Sequence, residues 1–66
     1  MEEIGKIIKE LRKLNNLTQE ELSIKSGLGL RFIREVENGK KTARIDKVLE
    51  ILDFFGYELV AQRKRW

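Results

Sequence analysis

The run Leu17-Thr18-Gln19-Glu20-Glu21-Leu22-Ser23-Ile24-Lys25-Ser26-Gly27-Leu28-Gly29-Leu30-Arg31-Phe32-Ile33-Arg34-Glu35-Val36-Glu37-Asn38-Gly39 reads as two short helices joined by a tight turn. Thr18 is a good N-cap, and Glu21, three residues on, completes a capping box in which each residue's side chain bonds the other's backbone N–H. Leu22 and Ile24 follow, and Gly27 stops this helix, which predicts a span of Gln19 to Ser26. Gly27 can take a positive φ without steric cost. Leu28 is then free to tuck into the core under the turn. The next helix should begin near Gly29-Leu30, with Phe32, Ile33 and Val36 on one face and Arg31, Arg34 and Glu35 on the other. Asn38-Gly39 is a helix end of the kind that favours a left-handed residue.

Working outward, Ile4, Ile7, Ile8, Leu11 and Leu14 recur at helical spacing, with Lys6, Lys9, Arg12 and Lys13 mostly on the opposite face. They predict a first helix that ends near Asn15 and buries this whole apolar stripe. After Lys40-Lys41, Thr42 is placed to cap a fourth helix with a wide apolar face of Ile45, Val48, Leu49, Ile51, Leu52 and Phe55, ended by Gly56. The period then changes. Tyr57, Leu59 and Ala61 alternate with Glu58, Val60 and Gln62, which suits a short strand. A lone strand is unstable, so it needs another copy or another protein to pair with, or it stays loose. Arg63-Lys64-Arg65-Trp66 forms a basic, aromatic-tipped tail. The chain divides into a four-helix unit, 1–56, and a strand and tail, 57–66.

The 66 residues suffice for one domain. A domain of this size buries only about 60% of its unfolded surface and needs added support. Cysteine and histidine are both absent. Disulfides, thiolate metal sites, the usual zinc ligands and the commonest general base are thereby removed. A partner subunit is the natural remaining support. The net charge of +3 is compatible with a nucleic-acid partner. No apolar run approaches the roughly 20 residues of a membrane span. The acidic start Met1-Glu2-Glu3 has none of the character of a secretory signal. A cytoplasmic location without membrane association is expected. No glycine-rich phosphate loop or carboxylate pair in an evident pocket suggests catalysis, so neither an enzyme nor a cofactor nor a metal site is expected.

Two helices around a glycine turn have the layout of a helix-turn-helix, whose second helix enters the major groove. The residues from Leu17 to Lys40 resemble the Xre/Cro repressor family. The junction Lys41-Thr42-Ala43-Arg44, the stretch Val48-Leu49-Glu50-Ile51-Leu52, and Phe55-Gly56-Tyr57-Glu58-Leu59 resemble, more narrowly, the HipB-type antitoxins. That resemblance implies an all-α, four-helix lambda-repressor-like domain with a short C-terminal strand pairing across a dimer. It also implies roles. Leu30, Arg31, Arg34 and Glu35 would face base edges, with Glu35 alternatively orienting an arginine or facing solvent. Thr18, Gln19, Gly29, Lys40 and Lys41 would meet phosphates. Arg12 and Glu37 would form a salt bridge joining helices 1 and 3. Gly29 stands where the family has a capping serine or threonine, and Ser23 where it has alanine, with its hydroxyl expected to bond back along the helix. Phe54 or Phe55, Tyr57, Leu59, Ala61 and Trp66 would serve the dimer or a partner protein.

The expected function is a sequence-specific transcriptional repressor that binds double-stranded DNA at a palindromic operator as a homodimer. The narrower resemblance adds an antitoxin role against a HipA-like kinase toxin in a toxin-antitoxin system. Alternatives are a stand-alone phage-type repressor and a protein-interaction module that keeps the fold without binding DNA. Arg31, Arg34 and Lys40 argue against the last.

Overall fold

The computed structural model describes residues 2–64. It contains four helices: α1 (Glu2–Leu14), α2 (Gln19–Ser26), α3 (Leu30–Glu37) and α4 (Ile45–Phe54). Helix α1 packs against α3, and α2 packs against α3 and α4. Ile8, Leu11, Leu22, Leu28, Ile33, Val36, Val48, Ile51 and Leu52 form one core, and all four helices contribute to it. The ammonium of Lys47 lies 5.8 Å from the ring centroid of Phe32, adding a cation–π contact between α4 and α3. No helix among the described residues is long and apolar enough to cross a membrane.

The capping box of α2 is formed. The Glu21 backbone N–H donates to Thr18 Oγ1 at 3.0 Å, and the Thr18 backbone N–H donates to Glu21 Oε1 at 2.9 Å. Two orphan donors at the helix start are thereby satisfied. The hydrogen bond from the Thr18 backbone, followed by that with its side chain, holds the Glu21 carboxyl below the usual carboxylate range. A carboxyl depressed on folding supports stability above its unfolded pKa, and that support is lost as pH falls through the folded value. We therefore expect Thr18→Ala to lose about 1 kcal/mol at neutral pH. Part of that difference should vanish as pH falls through the folded-state pKa of Glu21, which lies below its unfolded value. Urea unfolding at pH 7 and pH 3 checks both statements.

Helix α1 buries a different arc from the one its apolar spacing suggests. Gly5, Ile8, Leu11 and Arg12 face inward, whereas Ile7 is 47% and Leu14 78% exposed. At about 100° per residue, Ile7 and Leu14 sit about 100° or more around the helix from Ile8. The packing partner α3 selects Ile8 as the centre of the arc, so the apolar stripe is wider than the contact. Helix α4 shows the same effect: Val48, Ile51 and Leu52 are buried, Phe55 packs against the core, and Ile45 and Leu49 remain about half exposed. The expected Thr42 cap is not used. Helix α4 begins two residues later than that cap implies, with Arg44 at the N-cap and no side-chain cap bond. Instead, Arg44 grips Asp46 in the first turn with two hydrogen bonds, of 3.1 and 2.6 Å.

The strand expected from the alternation after Gly56 is not formed. Residues 57–64 carry no regular secondary structure, because nothing among the described residues offers a paired edge. Trp66 and Arg65 lie outside the described residues.

Candidate nucleic-acid interface

The geometry of the site begins at the turn between α2 and α3. Gly27 adopts φ 77° and ψ 8°, and its N–H closes on the Ser23 carbonyl. A side chain at this φ would be strained, which gives the position its glycine. Leu28 is buried beneath the turn as expected. Two serines clip it in place. The Ser23 hydroxyl donates to the Leu28 carbonyl at 2.6 Å, and the Leu28 N–H donates to Ser26 Oγ at 3.3 Å. Ser23 therefore bonds forward across the turn, not back along α2. Both backbone groups of the buried Leu28 are satisfied by side chains, so the angle between the two helices is fixed at little cost in unpaired polar groups.

Helix α3 starts from Gly29, whose extended backbone (φ −64°, ψ 139°) offers no side-chain cap. Ile33 and Val36 have no exposure, so the opposite face of α3 is held outward. Arg31 is 93% exposed at its side chain and Arg34 is exposed with no ion-pair partner among the described residues. Leu30 is half buried, which limits it to an apolar touch. Glu35 is occupied from two sides: Arg31 Nε donates to it at 3.1 Å and Lys40 Nζ at 2.8 Å. Lys40 is placed by the end of α3, where its backbone N–H reaches the Glu35 carbonyl at 3.0 Å and the Gly39 N–H reaches Val36. That is a Schellman ending around Asn38-Gly39. Lys41 is exposed in the following turn.

Gln19 opens α2 as expected, but its side chain is engaged: Nε2 donates to Glu37 Oε1 at 3.1 Å. This joins it to the ion pair between α1 and α3, in which Arg12 Nε and Nη2 bond the two Glu37 oxygens at 2.8 and 2.9 Å. The Gln19 contact was not legible from spacing, since 18 residues separate the partners. The serine clip had a weak signal in Ser26, a residue type that favours turns.

Tyr57 and Leu59 line one shallow hollow of about 380 Å³ together with Leu49, Glu50, Asp53 and Glu58. Phe54 faces a neighbouring hollow with the Ser26-Gly27-Leu28 turn. It meets Phe55 edge-on at 5.1 Å. Phe55 itself is drawn toward the core, so of the two phenylalanines only Phe54 is available to a partner. Ala61 is exposed.

Comparison with known proteins agrees with the helix-turn-helix fold. The family model described as helix-turn-helix matches residues 8–61. The uncharacterized HTH-type transcriptional regulator y4mF of Sinorhizobium fredii is 48% identical over 54 residues, covering 82% of this chain and 71% of the relative.

Proposed function

The chain belongs to the helix-turn-helix family of DNA-binding transcription regulators, and we propose that within it the protein is a sequence-specific repressor that reads an inverted-repeat operator as a homodimer. The observation that carries this reading is the division of α3: Ile33 and Val36 are sealed in the core while Arg31 and Arg34 stand outward behind a clipped turn. An arginine fork on a rigid helix can grip guanine O6 and N7 with two parallel bonds, worth about 1–3 kcal/mol of base discrimination. The Gln19 and Glu20 N–H groups, which the capping box leaves unused, and the dipole at the start of α2 suit a phosphate beside Thr18 and Gln19. Gly29 and Lys41 flank α3 where the duplex backbone would run, and Lys40 lies beside Lys41 with its ammonium bound to Glu35.

The dimer reading rests on apolar surface. Leu49, Tyr57 and Leu59 are 42%, 55% and 44% exposed around one hollow, and the alternating segment that follows needs a paired edge. A second copy supplies both. Two reading helices about 34 Å apart would then address half-sites one helical turn apart. Repression follows from occupancy of a promoter and requires no chemistry. The resemblance of the C-terminal region to HipB-type antitoxins supports a further role, capture of a HipA-like kinase toxin by residues 57–66.

The test is a binding titration with DNA from the protein's own promoter, a scrambled duplex and a single half-site, at two salt concentrations. Promoter preference, weaker binding to the half-site and a steep salt slope are expected. Arg31→Ala with Arg34→Ala should erase the preference while the helical signal in circular dichroism stays. Equal affinity for promoter and scrambled DNA in the wild-type chain contradicts the repressor reading. Equal affinity per site for half-site and full operator contradicts the dimer. A full chain that fails to bind the kinase contradicts the toxin role, and a chain lacking 57–66 that still binds it contradicts its placement on that segment.

A further inference from the structure

Glu35 sits on the outward face of α3 between two cations, the proposed base reader Arg31 and Lys40. Arg31, one turn earlier, gives it only the Nε–H, at 3.1 Å. The terminal edge of the guanidinium, with its parallel N–H bonds, is left open, and the side chain is 93% exposed. That open edge is the one that matches guanine. An unrestrained arginine would lose rotamer entropy on fixing this geometry. On the other side, Lys40 is bound to Glu35 twice, by its backbone N–H at 3.0 Å to the carbonyl and by its ammonium at 2.8 Å to the carboxylate. The Schellman turn that ends α3 therefore delivers Lys40 to Glu35, with the lysine side chain still 47% exposed. The bond from Lys40, and after it that from Arg31, holds the Glu35 carboxyl below the usual carboxylate range, so it is charged at neutral pH.

We propose that Glu35 is a positioning residue that sets sequence discrimination, aiming the Arg31 fork at a guanine while withholding Lys40 from indiscriminate phosphate contact. The inference rests on the repressor reading. It changes the role of Glu35 from reading a base to controlling the two cations beside it. Without the carboxylate, Arg31, Arg34 and Lys40 form an uncompensated cluster that any duplex backbone attracts. With it, the cluster carries one charge fewer, and Arg31 is ordered before DNA arrives. Discrimination rises from both sides: non-specific affinity falls, and the specific contact is preorganised.

The experiment compares wild type, Glu35→Gln and the double variant Glu35→Gln with Lys40→Ala on promoter and scrambled duplexes at several salt concentrations. Glu35→Gln should bind scrambled DNA more tightly. Its salt slope should steepen by about one unit, a gain of about eightfold near 0.1 M salt. The ratio of promoter to scrambled affinity should fall at least about tenfold. Adding Lys40→Ala should return the slope to the wild-type value. A merely structural role for Glu35 would weaken both duplexes together and would not raise scrambled binding. An unchanged ratio in Glu35→Gln overturns the proposal. So does a loss confined to one cytosine position with no gain on scrambled DNA, which would make Glu35 a direct acceptor from cytosine N4. If the wild type itself shows no promoter preference, the repressor reading fails and this inference with it. If the wild type has that preference and Glu35→Gln retains it, only the inference fails.

Discussion

Replacing Glu37 with leucine is expected to destabilise the protein by about 3–5 kcal/mol. The side chains of Arg12 and Glu37 are only 11% and 2% exposed. Arg12 spends Nε and Nη2 on Glu37 and Nη1 on the Leu17 carbonyl at 2.8 Å. Glu37 also accepts from Gln19. The network therefore ties α1, the α1–α2 connection, the start of α2 and the end of α3 through one carboxylate, and no buried side-chain polar atom among the described residues lacks a partner. Removing Glu37 leaves two guanidinium N–H groups and the Gln19 amide without an acceptor in a site that water scarcely enters. In the wild type the hydrogen bonds that Arg12 donates to Glu37 outweigh the opposing desolvation and hold its guanidinium above the ordinary pKa. In the variant that support is gone, but a guanidinium is too basic to shed its proton, so the buried charge remains. Arg12→Met should be about as damaging, because it strands the buried carboxylate.

The pair is not itself a large net source of stability, since dehydrating both ions offsets most of their attraction. The double variant Arg12→Met with Glu37→Leu is thus expected to recover more than half of the single-variant loss. Urea unfolding of wild type, both single variants and the double variant gives the coupling directly. Single losses under about 1 kcal/mol would place the pair among solvent-screened surface bridges and contradict the buried reading.

The second large effect runs against helix propensity. Gly5 lies inside α1, where alanine ordinarily stabilises a helix by about 1 kcal/mol. Here a Cβ would fall 2.1 Å from the Val36 carbonyl oxygen and 3.2 Å from its carbon. The obstacle is backbone, not a side chain that can turn aside, so α1 and α3 must separate. Overpacking of this kind costs about 1–3 kcal/mol, and a backbone obstacle puts Gly5→Ala at the upper end. After the propensity gain, a net loss of about 2 kcal/mol remains, or roughly 8–16 °C in Tm for a domain of this size. Gly29→Ala is the matched control, because its Cβ would meet nothing within 4 Å and its φ is ordinary. Thermal melts of the two variants should therefore diverge. A Gly5→Ala chain that melts with or above the wild type would show that the helices are not in backbone contact. Because α3 also presents Arg31 and Arg34, Gly5→Ala should weaken operator binding beyond what its stability loss explains.

These results separate what was legible in the sequence from what was not. Thr18 and Glu21 cap α2 as read, Gly27 closes it in the left-handed conformation, and α2 spans the predicted residues. Each of these signals acts over three or four residues, within reach of one side chain or one hydrogen bond, so the local chemistry suffices to decide it. The outward face of α3 was legible for the same reason, since a helix with two buried aliphatic residues must turn its arginines to solvent. The Arg12–Glu37 bridge was legible only through family resemblance, because 25 residues separate the partners.

The tertiary structure decided the rest. Ile7 and Leu14 look like core by spacing, but the rotation of α1 is chosen by its contact with α3, and the inward arc includes Gly5 and Arg12 in their place. Ser23 and Ser26 clip the turn only because α2 and α3 meet at that angle. Thr42 offers a cap that α4 does not use, since its first turn is set by where Val48, Ile51 and Leu52 reach the core. The alternating pattern from Tyr57 onward encodes a strand-like surface, but a strand exists only where a second edge supplies its hydrogen bonds. Periodicity states which residues avoid water and leaves open what they pack against. That second choice depends on the energies of contacts between distant segments, which no local window of the chain contains.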